Sequence, residues 1–271
     1  MTTTKLLERP GGRISYEDGS GDGPLVIAAP GMGDVRGVYR HVGPKLTDAG
    51  LRLVTMDLRG MGESSVGWDD LSDSAIASDY LALIDELDAG PAVLIGNSLS
   101  CASAVIAATD APDKVAGIVL IGPFARVVPT KWWQKAAFTA MLSPPWGRSA
   151  WVSYYRKSLY PGPKPADHDE YVAALSQNLS EPGRFASFRG LAFNSHAESG
   201  RRLTKVTQPA LVIMGTADPD FPDAVAEANQ LGDLLGAEVL LVEGSGHYPQ
   251  ADDPGEVAPA VITFVTERVE G

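Results

Sequence analysis

Cysteine is almost absent: Cys101 stands alone, so no disulfide can form within the chain. Histidine is scarce too, with four in 271 residues (His41, His168, His196 and His247), which confines any imidazole chemistry to few places. No apolar run approaches the roughly 18–20 residues that a membrane span needs. The opening segment MTTTKLLERPGG has no basic head followed by an apolar stretch, so no signal peptide is expected. With the single cysteine, that favours a cytoplasmic location. There is no P-loop, and Gly31-Met-Gly33 and Gly60-Met-Gly62 lack the third glycine of a dinucleotide fingerprint. No His/Cys/Asp group has metal-ligand spacing. Neither a cofactor nor a metal is therefore expected. Internal repeats and low-complexity tracts are also missing.

What is present reads as a globular chain, with 44% hydrophobic and 21% charged residues. The formal net charge of −12 should repel nucleic acid and anionic membrane, so the expected partner is a small-molecule substrate. The charge is unevenly spread. Between Phe124 and Leu203 there are eleven Lys/Arg against five Asp/Glu, a net of +6 that leaves −18 for the remainder. Such asymmetry suggests two units with different surfaces. One function for it would be to draw an anionic substrate, with Arg126, Arg148, Arg156, Arg184 and Arg189 as candidate carboxylate ligands.

Short runs rich in Val, Ile and Leu recur at Leu25–Ala29, Leu51–Met56, Ala92–Ile95, Val115–Ile121, Ala210–Met214 and Val239–Val242. Nearly continuous apolar runs predict strands buried on both faces, hence a parallel sheet. Helical spacing lies between them, at Ser74–Leu87, Val225–Leu235 and Val257–Val269. This alternation predicts a doubly wound α/β fold. The rhythm stops after Ile121 and resumes at Ala210. The intervening residues carry four of the five tryptophans and five of the seven phenylalanines. The predicted organisation is an α/β core over 1–123 and 204–271 and a helical insertion over 124–203. The aromatics of the insertion are assigned mainly to its own core, with some lining a pocket. His41 is placed on a helix near the start.

The chemistry centres on Ala92-Val-Leu-Ile-Gly-Asn-Ser-Leu-Ser-Cys. A buried strand runs into Gly96-Asn-Ser98-Leu-Ser100 and then into a small-residue helix over Cys101–Thr109. This is the setting of a nucleophile elbow, in which a serine sits on a sharp strand-to-helix turn flanked by small residues. A serine there could also simply cap the helix. Two further loops raise its standing. The strand ending at Met214 leads into Gly215-Thr-Ala-Asp218-Pro-Asp220, and the strand ending at Val242 leads into Gly244-Ser-Gly-His247. An acid and a histidine thus follow Ser98 in the order Ser, Asp, His, each at the carboxyl end of a strand, where open α/β sheets bind ligands. Ser98 is the candidate nucleophile, His247 the base and Asp218 the acid that orients it; Asp220 is the other acid on offer. The Leu99 amide, at the start of the elbow helix, and the Met32 amide, in Pro30-Gly-Met-Gly33, are the candidate oxyanion donors. Cys101 falls on the elbow helix and reads as a buried packing residue.

Together with the elbow, Asp57-Leu-Arg-Gly-Met-Gly-Glu-Ser64 and Gly246-His-Tyr-Pro-Gln250 resemble the α/β-hydrolase superfamily, specifically serine-nucleophile members with a helical cap. The resemblance covers nearly all the chain outside the insertion. It implies that the Asp57–Ser64 run is a structural loop and that the insertion is a cap roofing the pocket. Two departures stand out: Pro30-Gly31 where the family often has His-Gly, and Ser100 in place of a glycine. Epoxide hydrolases and haloalkane dehalogenases of this superfamily use an aspartate nucleophile where this chain has Ser98. The expected function is hydrolysis of a small, partly apolar ester or related acyl substrate through an acyl-enzyme. The alternatives are a C–C bond hydrolase of the meta-cleavage-product type, whose elbow often carries an asparagine like Asn97, and a small-ligand signalling receptor of the same fold.

Overall fold

In the computed structural model, which describes residues 3–269, eight strands form one sheet in the order β1-β2-β4-β3-β5-β6-β7-β8. The strands are β1 (Thr4–Arg9), β2 (Gly12–Asp18), β3 (Leu25–Ala29), β4 (Arg52–Met56), β5 (Ala92–Asn97), β6 (Val115–Ile121), β7 (Ala210–Gly215) and β8 (Glu238–Val242). From β4 to β8 every neighbouring pair is parallel. All residues of β3, β5 and β7 are buried, as expected of strands covered on both faces. The six predicted strands are all present, each within two residues of its expected ends.

The hairpin β1–β2 is an addition to that reading. It pairs antiparallel with itself and, through β2, with β4. Its strands are about half polar, with β1 at the sheet edge, so they lack the continuous apolar run that marks the others. Helices Asp73–Leu87, Leu99–Asp110, Ala224–Leu235 and Pro254–Thr263 cover the sheet. The last starts three residues earlier than its periodicity suggests, because Asp253 accepts from the Glu256 amide and Pro254 suits the first turn; Phe264–Val269 continues it as a wider π-turn. His41 lies in a turn, not a helix, with Nε2 2.9 Å from Asp167.

Between β6 and β7 the described residues form five α-helices, Trp132–Met141, Gly147–Lys157, His168–Asn178, Arg184–Ala192 and Ala197–Arg202, and no strand. Its aromatics divide more evenly than expected. Trp151, Tyr155 and Phe188 are buried, whereas Trp132, Trp133, Trp146 and Phe193 face outward. Helical periodicity shows that a residue lies on an apolar face, but not whether a neighbour covers that face.

The Asp57–Ser64 loop is structural. The Asp57 carboxylate accepts from the Arg36 amide (2.7 Å), the Ser15 hydroxyl (2.8 Å) and the Glu63 amide (3.0 Å). Arg59 bridges to Asp79 and lies over the Trp68 ring.

Candidate active site

Strand β5 delivers Ser98 with φ 56° and ψ −118°, a conformation that side chains normally avoid and that costs on the order of 1–3 kcal/mol. The tightness of the turn explains Gly96: a Cβ there would stand 2.6 Å from the Cys101 amide nitrogen. Ser100, the departure from glycine, has a positive role. Its hydroxyl accepts from the Asn97 amide at 2.8 Å and lies 2.9 Å from the Ala29 carbonyl, tying the elbow to the end of β3. Cys101 is fully buried against the Gly96 carbonyl, and burial raises its thiol pKa, so it is a packing residue and not a thiolate.

The chain leaving β3 passes directly over the elbow. A Cβ on Gly31 would lie 2.8 Å from that of Ser98. The Met32 amide follows on this crossing segment, and the Leu99 amide opens the elbow helix. Neither amide donates to any group among the described residues. The Ser98 hydroxyl makes no hydrogen bond among them either.

His247 follows β8 and is almost fully buried. Its Nδ1 stands 2.7 Å from Asp218 Oδ2, in the loop after β7, and 3.7 Å from Asp220 Oδ2. Asp218 Oδ1 accepts from the Asp220 amide at 3.0 Å. Asn97 joins this loop to the elbow, its Nδ2 donating to the carbonyls of Ile121 (3.1 Å) and His247 (3.4 Å). Phe124, whose amide donates to the Ser98 carbonyl, holds its ring 6.0 Å from the imidazole. Of the residues singled out in the sequence, Asp218 and His247 are in direct contact, and Ser98 lies on the neighbouring elbow, linked to their loop through Asn97 and Phe124. Burial pushes the imidazole pKa down, but the carboxylates of Asp218 and Asp220 outweigh it and raise the pKa to about 9. Asp220 moves up as well, from burial, with His247 opposing. The ligand atoms of Asp218, Asp220 and His247 lie within 4.8 Å of one another and could share a cation, yet Nδ1 and both Asp218 oxygens are already engaged.

Four groups escaped the sequence reading. Helix Gly147–Lys157 places Trp151, Tyr154 and Tyr155 on one face, at i, i+3 and i+4. A Cβ on Gly33 would meet Trp151 Nε1 at 2.6 Å, so that indole rests on the Gly31–Gly33 loop. The Tyr154 hydroxyl donates to Asp220, and that of Tyr155 to Asp34 (2.7 Å). Asp34, the fourth group, is fully buried beside the same loop and also accepts from Tyr171 (2.5 Å). Burial raises its pKa, against the two tyrosine hydrogen bonds. An acid directly after Gly-Met-Gly and a Tyr-Tyr pair in the insertion were the available signals, but nothing in their spacing joins them.

The arginines of the insertion are mostly spent. Arg126 pairs with Glu227, Arg156 with Asp169 and Arg184 with Glu181. The other three histidines are engaged away from Ser98, with His196 on Asp73, His41 on Asp167 and His168 on the Arg156 carbonyl.

The sequence model described as "Alpha/beta hydrolase family" matches residues 26–260, nearly the whole of this arrangement. The chain belongs to that family. This hydrolase-family chain is 24% identical to Epoxide hydrolase A of Mycobacterium tuberculosis (strain ATCC 25618 / H37Rv), with 97% of each chain covered. It is 26% identical to a probable esterase of Oryza sativa subsp. japonica, covering 93% of this chain and 94% of the relative. In fold it is similar to the esterase EaEST of Exiguobacterium antarcticum, with a TM-score of 0.85 at 20% identity, covering 98% of this chain and all of the other.

Proposed function

We propose that this family member hydrolyses small, partly apolar esters or related acyl compounds through an acyl-enzyme. The observation that carries the reading is the 2.7 Å His247–Asp218 pair set beside a serine held in a sharp elbow. Ser98 Oγ attacks the acyl carbon while its proton passes to His247 Nε2. The carbonyl electron pair moves to oxygen, where the Met32 and Leu99 amides receive it. The oxyanion collapses, the C–O bond to the alcohol breaks, and the imidazolium protonates the leaving oxygen. Water, deprotonated by His247, then repeats the attack and releases the acid and Ser98. Asp218 holds the imidazole tautomer and stabilises its cation throughout.

A neutral substrate fits best. The charges nearest the imidazole are the carboxylates of Asp218 and Asp220, and three of the five candidate arginines already have acidic partners. The surroundings are aromatic: Phe124 lies 4.8 Å from Phe221, and Trp151 lies 4.9 Å from Phe188. Ser98 at the nucleophile position favours acyl transfer over epoxide opening.

Steady-state hydrolysis of a short p-nitrophenyl ester tests the reading. Ser98→Ala should lose about 10⁴–10⁶-fold in kcat with an unchanged circular dichroism spectrum. Activity within about tenfold of wild type would remove Ser98 from the mechanism. A dienoate carrying a carboxylate, turned over faster than the ester, would shift the reading to C–C bond hydrolysis.

A further inference from the structure

Three of the four insertion tryptophans are turned to the outside. Trp132 is 81% exposed, Trp133 53% and Trp146 56%, and Phe193 beside them is 48% exposed. The helix that begins this group, Trp132–Met141, has no buried residue. Phe138, on the same helix, is half-buried and its ring stands 6.2 Å from that of Phe193, which places Phe193 against this helix. Trp146 donates its indole N–H to the Ala140 carbonyl at 2.9 Å, which fastens it to the end of the same helix. Exposed aromatic groups of this size on a globular chain mark a contact surface.

The charge around them has one sign. From Gly122 to Ala166 the chain contains no Asp or Glu and seven Lys/Arg. Lys131 and Lys135 bracket the tryptophan pair and Arg148 follows Trp146; all three are exposed and none forms an ion pair among the described residues. We propose that this face docks on an anionic lipid surface, with the indoles at headgroup depth and the lysines against lipid phosphates. Tryptophan is the side chain that favours the membrane–water boundary, its ring apolar and its N–H still able to find a partner. Basic residues at the edge of such a helix are attracted by anionic headgroups. Among the described residues no helix is long and apolar enough to cross a membrane, so the contact is peripheral.

A second copy of the chain fits less well. A two-fold contact would set Lys131, Lys135 and Arg148 against their own counterparts, with no acid in the segment to pair them. A head-to-tail contact with the acidic body would need a ring of copies to close, or else would leave this face open at one end. The net charge of −12 argues against anionic membranes only if it is averaged over the chain. Screening over about 10 Å makes the local sign decisive. The segment continues into helix Gly147–Lys157, so a docked surface would lie a few residues from the helix whose Trp151 and Tyr154 reach Gly33 and Asp220.

The test is co-sedimentation of the full chain with vesicles of phosphatidylcholine alone, and of phosphatidylcholine with about 30% phosphatidylglycerol, with tryptophan emission read in parallel. Wild type should bind the anionic vesicles at least about tenfold more tightly, with a blue shift, and weaken as salt rises. The double variant Trp132→Ala/Trp133→Ala should lose about tenfold or more on the anionic vesicles. Lys131→Glu/Lys135→Glu should abolish the preference between the two vesicle types. Because the helix buries no residue, both variants should keep the wild-type fold and hydrolyse a water-soluble ester at the wild-type rate. Absence of wild-type binding, or binding indifferent to the tryptophan change, overturns the proposal. So does a lipid-free dimer in sedimentation velocity that the tryptophan change dissolves, which would assign the face to a second copy.

Discussion

The sheet and the seam of the helical insertion are held by different forces. Inside the sheet, whole strands are apolar and withdrawn from water, as in β3, β5 and β7. Each buried Leu, Ile or Val there contributes about 1.5–3 kcal/mol without needing a particular partner. The insertion shares that apolar core through Trp151, Val172, Leu175 and Phe188, and adds directed polar pairs at its seam: Tyr155 and Tyr171 to Asp34, Tyr154 to Asp220, Arg40 to Asp167, His196 to Asp73 and Asn178 to Gly62. Hydrogen bonds to a charged group net about 1.5–3 kcal/mol and a neutral one such as that of Asn178 about 0.5–1.5 kcal/mol, and all depend on alignment and protonation. The sheet thus supplies permanence, and the seam supplies position.

The largest effect that would sharpen this contrast concerns the two acids. Asp218 bonds only core groups, whereas Asp220 is bonded by the insertion. Asp218→Asn should cost about 10⁴-fold in kcat. Asp220→Asn should cost no more than about 10²-fold, with equal melting temperatures for the two variants. If Asp220→Asn is the inactive one, the acid has been misassigned.

Next come lesions of stability. Ile27→Ala, in the middle of the sheet, should cost about 2–5 kcal/mol in urea unfolding. Tyr155→Phe combined with Tyr171→Phe leaves Asp34 without its side-chain donors and should cost about 1–3 kcal/mol, while raising KM more than it lowers kcat. Equal losses from both lesions would erase the distinction between core and seam.

The smallest effect is in the pH profile. The base must be neutral to act, and its pKa lies near 9, so kcat/KM should climb from neutral pH toward about 9. Asp220→Asn removes one raising charge and should move the midpoint to lower pH. Stability should run the other way. The folded pKa exceeds the ordinary 6.5, so the stabilisation from His247 is complete below pH 6.5 and fades as pH rises through about 9. Melting temperatures across that window, for wild type and His247→Gln, check the sign.

Much of this was legible in the sequence where chemistry and burial coincide. Strands covered on both faces are written as apolar runs, and the loops that follow β5, β7 and β8 carry a serine, an acid and a histidine in order. The hairpin strands β1 and β2 were not legible, because charged and polar residues interrupt their apolar pattern. The seam was not legible either. Tyr155 and Asp34 stand 121 residues apart, and only the folded crossing of helix and loop makes them partners. For the same reason periodicity could not separate the covered Trp151 from the bare Trp132.

One helix, Gly147–Lys157, reaches the Gly31–Gly33 loop with Trp151, Asp220 beside His247 with Tyr154, and the buried Asp34 carboxylate with Tyr155. Over five residues it advances only about 6 Å, so these three positions form a ruler laid across the reacting centre. A shift of this one helix would therefore move the Gly33 loop, Asp220 and Asp34 together, as a single lever acting on three points around His247.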